Sequence, residues 1–174
     1  YLVNPAVLRH CPAHAELVNL GHQHTPLEDR QKLINAQIVQ AARQGKVVVR
    51  LKSGDPYVFG RSGEEVAAVR EAGIPFEVVP GVTAALAAAG YAEIPITHAQ
   101  HASAVALITG HQRKADRAPP LDYGRLAGFP GTLVFYMGLN SAAQWSQALI
   151  EHGKPARTPV AVVRRGSWPD QQVI

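Results

Sequence analysis

The chain has 174 residues, 47% of them hydrophobic, a formal net charge of +4 and a single cysteine. That apolar content supports a packed core and excludes disorder, and no run approaches the roughly 20 apolar residues that span a bilayer. The lone Cys11 excludes an internal disulfide framework and fits a reducing compartment, so a soluble, cytoplasmic chain without a signal peptide is expected.

Asn4-Pro5 opens a short helix, with a capping side chain and proline at the first helical position, and Glu16 to Leu20 reads as a strand. Thr25-Pro26-Leu27-Glu28 has the form of a capping box, and Ile34, Ile38, Ala41 and Ala42 follow at helical spacing before Gly45. These signals predict a helix over 27–44. Lys46 to Leu51 is a β-branched run suited to a strand buried on both faces. Ser62-Gly63-Glu64-Glu65 offers a second capping box for a helix to about Ala72, with Gly73 as its stop and a strand over 76–79 beyond it. Pro80 to Thr83 forms a turn and cap, and the alanine-rich stretch 84–92 predicts a small-faced helix.

Further strands are predicted at 103–109, 132–136 and 160–164, with a Pro- and charge-rich loop over 111–120 and a helix from Ser141 to His152 ending at Gly153. Strands alternate with helices nearly throughout, which argues for an α/β fold with mostly parallel pairing. Two subdomains are expected, 1–81 and 82–174. The basic residues are scattered, with Arg164-Arg165 the densest pair, and no aromatic-basic alternation offers a platform for stacked bases. No nucleic-acid partner is expected, whereas a polyanionic small molecule suits the charge.

Most of the turn chemistry lies in Leu51 to Glu65, "LKSGDPYVFGRSGEE", where an apolar run meets a helix. Ligands of open α/β sheets collect at the carboxyl ends of strands, and glycine there lets the backbone approach a bound molecule. Asp55 can accept hydrogen bonds from sugar hydroxyls, or from the chain's own amides in an Asx turn. A phosphate-binding Walker loop does not fit, because five residues separate Gly54 from Gly60 and Arg61-Ser62 stands in place of Lys-Ser.

The joint from Ser53 to Glu65, "AGIPFEVVPGVTA" at Ala72 to Ala84, "EIPITH" at Glu93 to His98, "VFYMGL" at Val134 to Leu139 and "TPVAVVRRGSWPDQ" at Thr158 to Gln171 occur in this order. In them the chain resembles the tetrapyrrole methylases, above all those that methylate uroporphyrinogen III, and the resemblance covers almost its whole length. It implies two α/β subdomains with S-adenosylmethionine in the cleft between them, usually in a homodimer. The implied activity is methyl transfer to ring carbons of uroporphyrinogen III, giving precorrin-2 in siroheme or cobalamin synthesis. Methylation of another precorrin and a catalytically impaired homologue that binds cofactor or tetrapyrrole are the alternatives. By this resemblance Ser53, Gly54, Asp55 and Val58 contact the cofactor from one side, and Thr83, Ala84, Met137 and Gly166 from the other. Arg50, Arg61 and Arg113 are candidates for steering the polycarboxylate substrate, each also readable as an ordinary surface or structural arginine.

The chain also departs from the pattern. The family's first strand with its glycine-rich loop, and its last strands, are not found, so a fragment of a longer protein is expected. His22 falls where the family commonly has a lysine with a proton-donor role, and is the catalytic candidate. Ala99 stands where an arginine often follows, and Ser53 and Ser62 replace glycines. His10, Cys11, His14, His22 and His24 form an irregular gathering rather than paired ligands at zinc spacing, so no metal site is expected. His98, His101 and His111 read as loop histidines, with Thr109-Gly110-His111 of interest because it ends a strand. Trp145 and Leu149, at helical spacing, read as core.

Overall fold

The computed structural model describes residues 4–20, 27–111 and 120–174. It divides into two compact units, Tyr1–Thr83 and Ala84–Ile174, two residues beyond the division expected from the turn at 80–83.

In the first unit, Pro5–His10 is a 3-10 rather than an α-helical turn, and Asn4 caps it, its side chain accepting from the Ala6 N–H at 3.0 Å. Helix α1 spans Leu27–Arg43 and α2 spans Ser62–Glu71. The two helices pack together, and Ile34 of α1 and Val69 of α2 are buried. Gly45 and Gly73 adopt the left-handed conformation just past the helix ends, the role assigned to them as stops. Thr25 and Pro26 of the first capping box lie outside the described residues.

The second capping box does not form. The N-cap of α2 is Arg61, in the left-handed region and without a side-chain cap bond, Ser62 is already helical, and the buried Glu65 turns to Lys52 and Arg50 instead. A carboxylate buried by helix packing is costly unless paired, so its charged partners take precedence over the reciprocal cap.

The strands expected at 16–20, 46–51 and 76–79 are not strands in the described structure. A strand is a hydrogen-bonding relation between two backbones, and no ladder meets these segments among the described residues. Val47 and Val49 are consequently 94% and 81% exposed, against the expectation of burial on both faces.

The second unit carries the strand pairing. Strand β1, Val105–Thr109, runs parallel to β2, Thr132–Tyr136, in register from Val105 opposite Thr132 to Thr109 opposite Tyr136. Helix α3 covers Ala84–Tyr91, α4 covers Tyr123–Ala127 and α5 covers Ala142–Glu151, preceded by a 3-10 turn at Leu139–Ser141. Ala85, Ile108, Ala127 and Leu149 are buried, so each of α3, β1, α4 and α5 contributes to the core. The predicted core residue Leu149 is among them, and Trp145 is half-buried.

Helix α4 was not anticipated. Asp122 caps it, accepting from the Arg125 N–H at 3.0 Å. The strand expected at 160–164 contracts to β3, Val163–Arg164, antiparallel to β4, Gln172–Val173, with Val162 and Ile174 exchanging two further backbone bonds. Among the described residues, no helix is long and apolar enough to cross a membrane.

Candidate functional site

In the first unit the candidates gather on the turn that follows the apolar segment 46–52. Gly54 has φ +69°, a conformation glycine adopts without a Cβ penalty. The next residue, Asp55, accepts the Tyr57 N–H on Oδ1 at 2.8 Å and the Gly81 N–H on Oδ2 at 3.1 Å. The Gly81 amide, and after it the Tyr57 amide, hold the Asp55 carboxyl below the usual aspartate range.

Gly81 lies so close to the Gly54 carbonyl that a Cβ there would collide with it. The turns 53–60 and 80–83 are therefore apposed backbone to backbone, with one carboxylate bridging them. Ser53 and Gly54 are exposed, Val58 is half-buried and Thr83 is buried. Four predicted residues, Ser53, Gly54, Asp55 and Val58, thus share one turn, and Thr83 lies two residues past the glycine that Asp55 holds. Both Asp55 oxygens already bind the chain's own amides, so its first role is the Asx-type one.

Sequence reasoning gave Glu65 only a place in the capping box of α2. This α2 residue is 7% exposed at its side chain and takes Lys52 Nζ at 2.8 Å and Arg50 Nε at 3.1 Å. Gln31 of α1 donates to the same carboxylate at 3.2 Å. Burial pushes the Glu65 carboxyl up, but the hydrogen bond from Lys52 and the charge of Arg50 outweigh it, and the net displacement is downward. Two of the arginines considered for substrate steering are thereby accounted for: Arg50 pairs with Glu65, and Arg61 pairs with Glu64 at 2.6 Å.

In the second unit the candidates lie at the carboxyl ends of β1 and β2. Met137 follows β2 with φ +55° and is 60% exposed, an uncommon conformation that presents a polarizable side chain to solvent. Behind it, the Gly138 carbonyl accepts the Trp145 indole N–H at 2.9 Å, while the Ser141 hydroxyl donates to the Gly110 carbonyl at 2.6 Å. Trp145 in turn stacks on Phe135, with ring centroids 4.2 Å apart.

The Tyr136 hydroxyl accepts the Ala85 N–H at 3.0 Å, which ties the start of α3, and with it Ala84, to the residue preceding Met137. Gly166 reaches the same helix from the other end, since a Cβ there would press on Ala88. Its neighbours Arg165 and Ser167 are both left-handed, and Gln171 holds the turn, accepting the Ser167 N–H at 2.9 Å and donating to the Tyr91 carbonyl at 3.0 Å. Ala84, Met137 and Gly166 are thus brought around α3.

Left-handed backbone at non-glycine residues recurs at Phe59, Arg61, Met137, Arg165 and Ser167, all inside the motifs singled out in the sequence. Such strain persists where surrounding structure enforces it, commonly at ligand sites. Of the histidines, His98 and His101 stack at 4.7 Å and His98 Nδ1 accepts the Gln100 N–H, so that pair shapes its own loop. The His111 N–H donates to Thr109 Oγ1 at 3.3 Å. His22 and Arg113 lie outside the described residues.

Helices beside the parallel pair β1 and β2 make the chain an α/β protein, a class whose ligands collect at the carboxyl ends of strands. Comparison with known proteins gives the particular family. The family model described as Tetrapyrrole (Corrin/Porphyrin) Methylases matches residues 1–174, and the chain belongs to that family.

The chain is 50% identical over 173 residues to a siroheme synthase of Sodalis glossinidius, covering 99% of this chain and 36% of that protein. It is 46% identical over 172 residues to the S-adenosyl-L-methionine-dependent uroporphyrinogen III methyltransferase of Methanosarcina barkeri, covering 99% of this chain and 68% of that one. The chain therefore spans about a third of the siroheme synthase length. Among solved structures, it is similar to the uroporphyrin-III C-methyltransferase of Thermus thermophilus complexed with S-adenosylhomocysteine. That match has a TM-score of 0.71 and 37% identity, over 82% of this chain and 59% of that one. A cobalt precorrin-4 methyltransferase matches with a TM-score of 0.84 and 26% identity, over 99% and 69%.

Proposed function

We propose that this chain is the cofactor-binding and methyl-transfer region of a uroporphyrinogen-III C-methyltransferase that uses S-adenosylmethionine in siroheme synthesis. The observation that carries the reading is the turn at Ser53 to Val58, where the bridging Asp55 carboxylate holds exposed backbone beside a second turn. The relatives named above, at 46–50% identity, support this substrate over that of the precorrin-4 enzyme, whose likeness is greater in fold and lower in sequence.

The residues present fit such a cofactor. Ser53 and Gly54 offer exposed backbone donors and acceptors, and each Asp55 oxygen keeps a lone pair beyond the one its amide uses. In the first unit Val58 supplies apolar surface and Thr83 supports the turn beside Gly81; in the second unit Ala84 and Met137 supply apolar surface and Gly166 permits close approach. When bound, S-adenosylmethionine supplies an electrophilic methyl on a sulfonium. The chain's own part is to hold and orient the reactants and to keep water away, which supplies much of the rate in a transfer of this kind. His22 would donate a proton in the reaction, in the place where the resemblance puts a lysine with that role. The positive balance suits a substrate bearing several carboxylates. We further assign the protein to the cytoplasm as a homodimer.

Calorimetric titration of S-adenosylhomocysteine into the complete gene product and its Asp55→Ala variant tests the reading. Binding in the micromolar range that is lost in the variant is the expected result. No binding by the unaltered protein would refute it.

A further inference from the structure

Glu65 is more deeply engaged than a first-turn helix acid needs to be. Its carboxylate faces two cations, and the one closer to the turn, Lys52, is 11% exposed, whereas Arg50 is 36% exposed. A buried ion pair is a poor source of net stability, since removing two charges from water offsets most of their attraction, yet it tolerates little displacement. Lys52 is the residue immediately before Ser53. Its side chain is packed as well as paired, so a shift of its main chain has to be absorbed by a confined stem whose ammonium is held on a carboxylate also bound by Gln31 of α1.

On the far side of Gly54, Asp55 is held to Gly81. Ser53 and Gly54 are thus suspended, exposed, between two anchored neighbours. We propose that Glu65 is a positioning residue for this turn: acting through Lys52, it sets where the backbone of Ser53 and Gly54 stands to receive the cofactor. The inference rests on the reading of that turn as an S-adenosylmethionine site.

The test compares four variants of the complete gene product by calorimetry with S-adenosylhomocysteine and by steady-state kinetics: Glu65→Gln, Lys52→Met, the two combined, and Glu64→Gln. Glu65→Gln keeps the shape and removes the charge, and Glu64→Gln is the control, altering the neighbouring acid that pairs with Arg61 and is 51% exposed. Expected are a rise of about tenfold or more in Kd for each of the first two, and a combined variant no worse than the poorer single one. KM for S-adenosylmethionine should rise in parallel while kcat stays within about threefold. The control should bind as the parent does.

A purely structural role would instead lower the folded fraction and kcat together and leave the Kd of the folded molecules unchanged. That result, a Glu65→Gln protein binding within about twofold of the parent, or independent multiplying effects of the two single changes would overturn the proposal. Lys52→Met leaves Glu65 its Arg50 partner and carries the test if Glu65→Gln fails to fold. Failure of the parent itself to bind would refute the cofactor reading, and this inference with it. Binding by the parent with unaffected variants would refute only the role of Glu65.

Discussion

Trp145→Phe isolates one hydrogen bond behind the exposed Met137. The indole N–H donates to the Gly138 carbonyl at 2.9 Å, and phenylalanine keeps an aromatic face against Phe135 while deleting that donor. The carbonyl is not orphaned, because the Ser141 N–H also reaches it at 3.2 Å; the Ser141 hydroxyl has one proton, and its shorter contact is to Gly110. The cost is then that of an ordinary bond, about 1 kcal/mol, rather than of an unsatisfied buried group. The smaller ring adds a cavity term of about 0.5 kcal/mol, because Trp145 is only half-buried. A total near 1.5 kcal/mol corresponds to a fall in Tm of roughly 3–6 °C for a chain of this size, measurable by calorimetry or by near-ultraviolet dichroism of the stacked pair. With the Gly138 carbonyl less firmly held, the left-handed Met137 loses part of its support, and S-adenosylhomocysteine affinity should fall several-fold. A loss below about 0.5 kcal/mol would show that the indole N–H does not restrain Gly138, and a loss above about 3 kcal/mol would assign the effect to packing.

Two further outcomes follow from the first unit. Ser62 is buried in the first turn of α2 and its hydroxyl has no partner among the described residues, so Ser62→Ala should raise stability by about 1 kcal/mol through removal of an unsatisfied polar group and gain in helix propensity. A lowered Tm would reveal a hydrogen bond to that hydroxyl instead. Asp55 is held ionised by the Gly81 and Tyr57 amides, so its folded pKa lies below the unfolded value of about 3.9. The carboxylate's contribution is therefore complete above that unfolded value and disappears as pH falls through the folded one. Asp55→Asn, which turns an amide nitrogen toward one of the two N–H donors, should have a lower urea midpoint than the parent at pH 7. The gap should narrow progressively below about pH 4, and a gap independent of pH over that range would contradict the assignment.

Helices were largely legible in the sequence because their signals are local. Periodic apolar residues in 27–43, alanine in 84–91 and glycine at 45, 73 and 153 place α1, α3 and the stops within a residue or two. Strands depend on a partner: 132–136 was legible because β1 lies beside it, whereas the equally β-branched 46–51 has none among the described residues and stays unpaired. Helix α4 escaped notice because five residues carry too little periodicity, although Asp122 three residues before Arg125 was a readable cap. The site motifs were legible as turns, but the left-handed backbone of Phe59, Met137, Arg165 and Ser167 was not, since nothing in a bulky side chain announces positive φ.

The acids show why motif and geometry carry different information. Asp55 reads in the sequence as a group that could meet a ligand hydroxyl, and Glu65 as half of a capping box. In the structure both are spent first on the chain itself, Asp55 on two amides from different turns and Glu65 on Lys52, Arg50 and Gln31. What they leave open between them is the backbone of Ser53 and Gly54. As the cofactor site proposed above, such a turn would recognise its ligand mainly through main-chain groups whose positions are fixed before it arrives, which lowers the ordering cost of binding. Side-chain identity within the turn then matters through backbone placement: the exposed Ser53 has room for its side chain, whereas Gly81 has no such latitude against the Gly54 carbonyl.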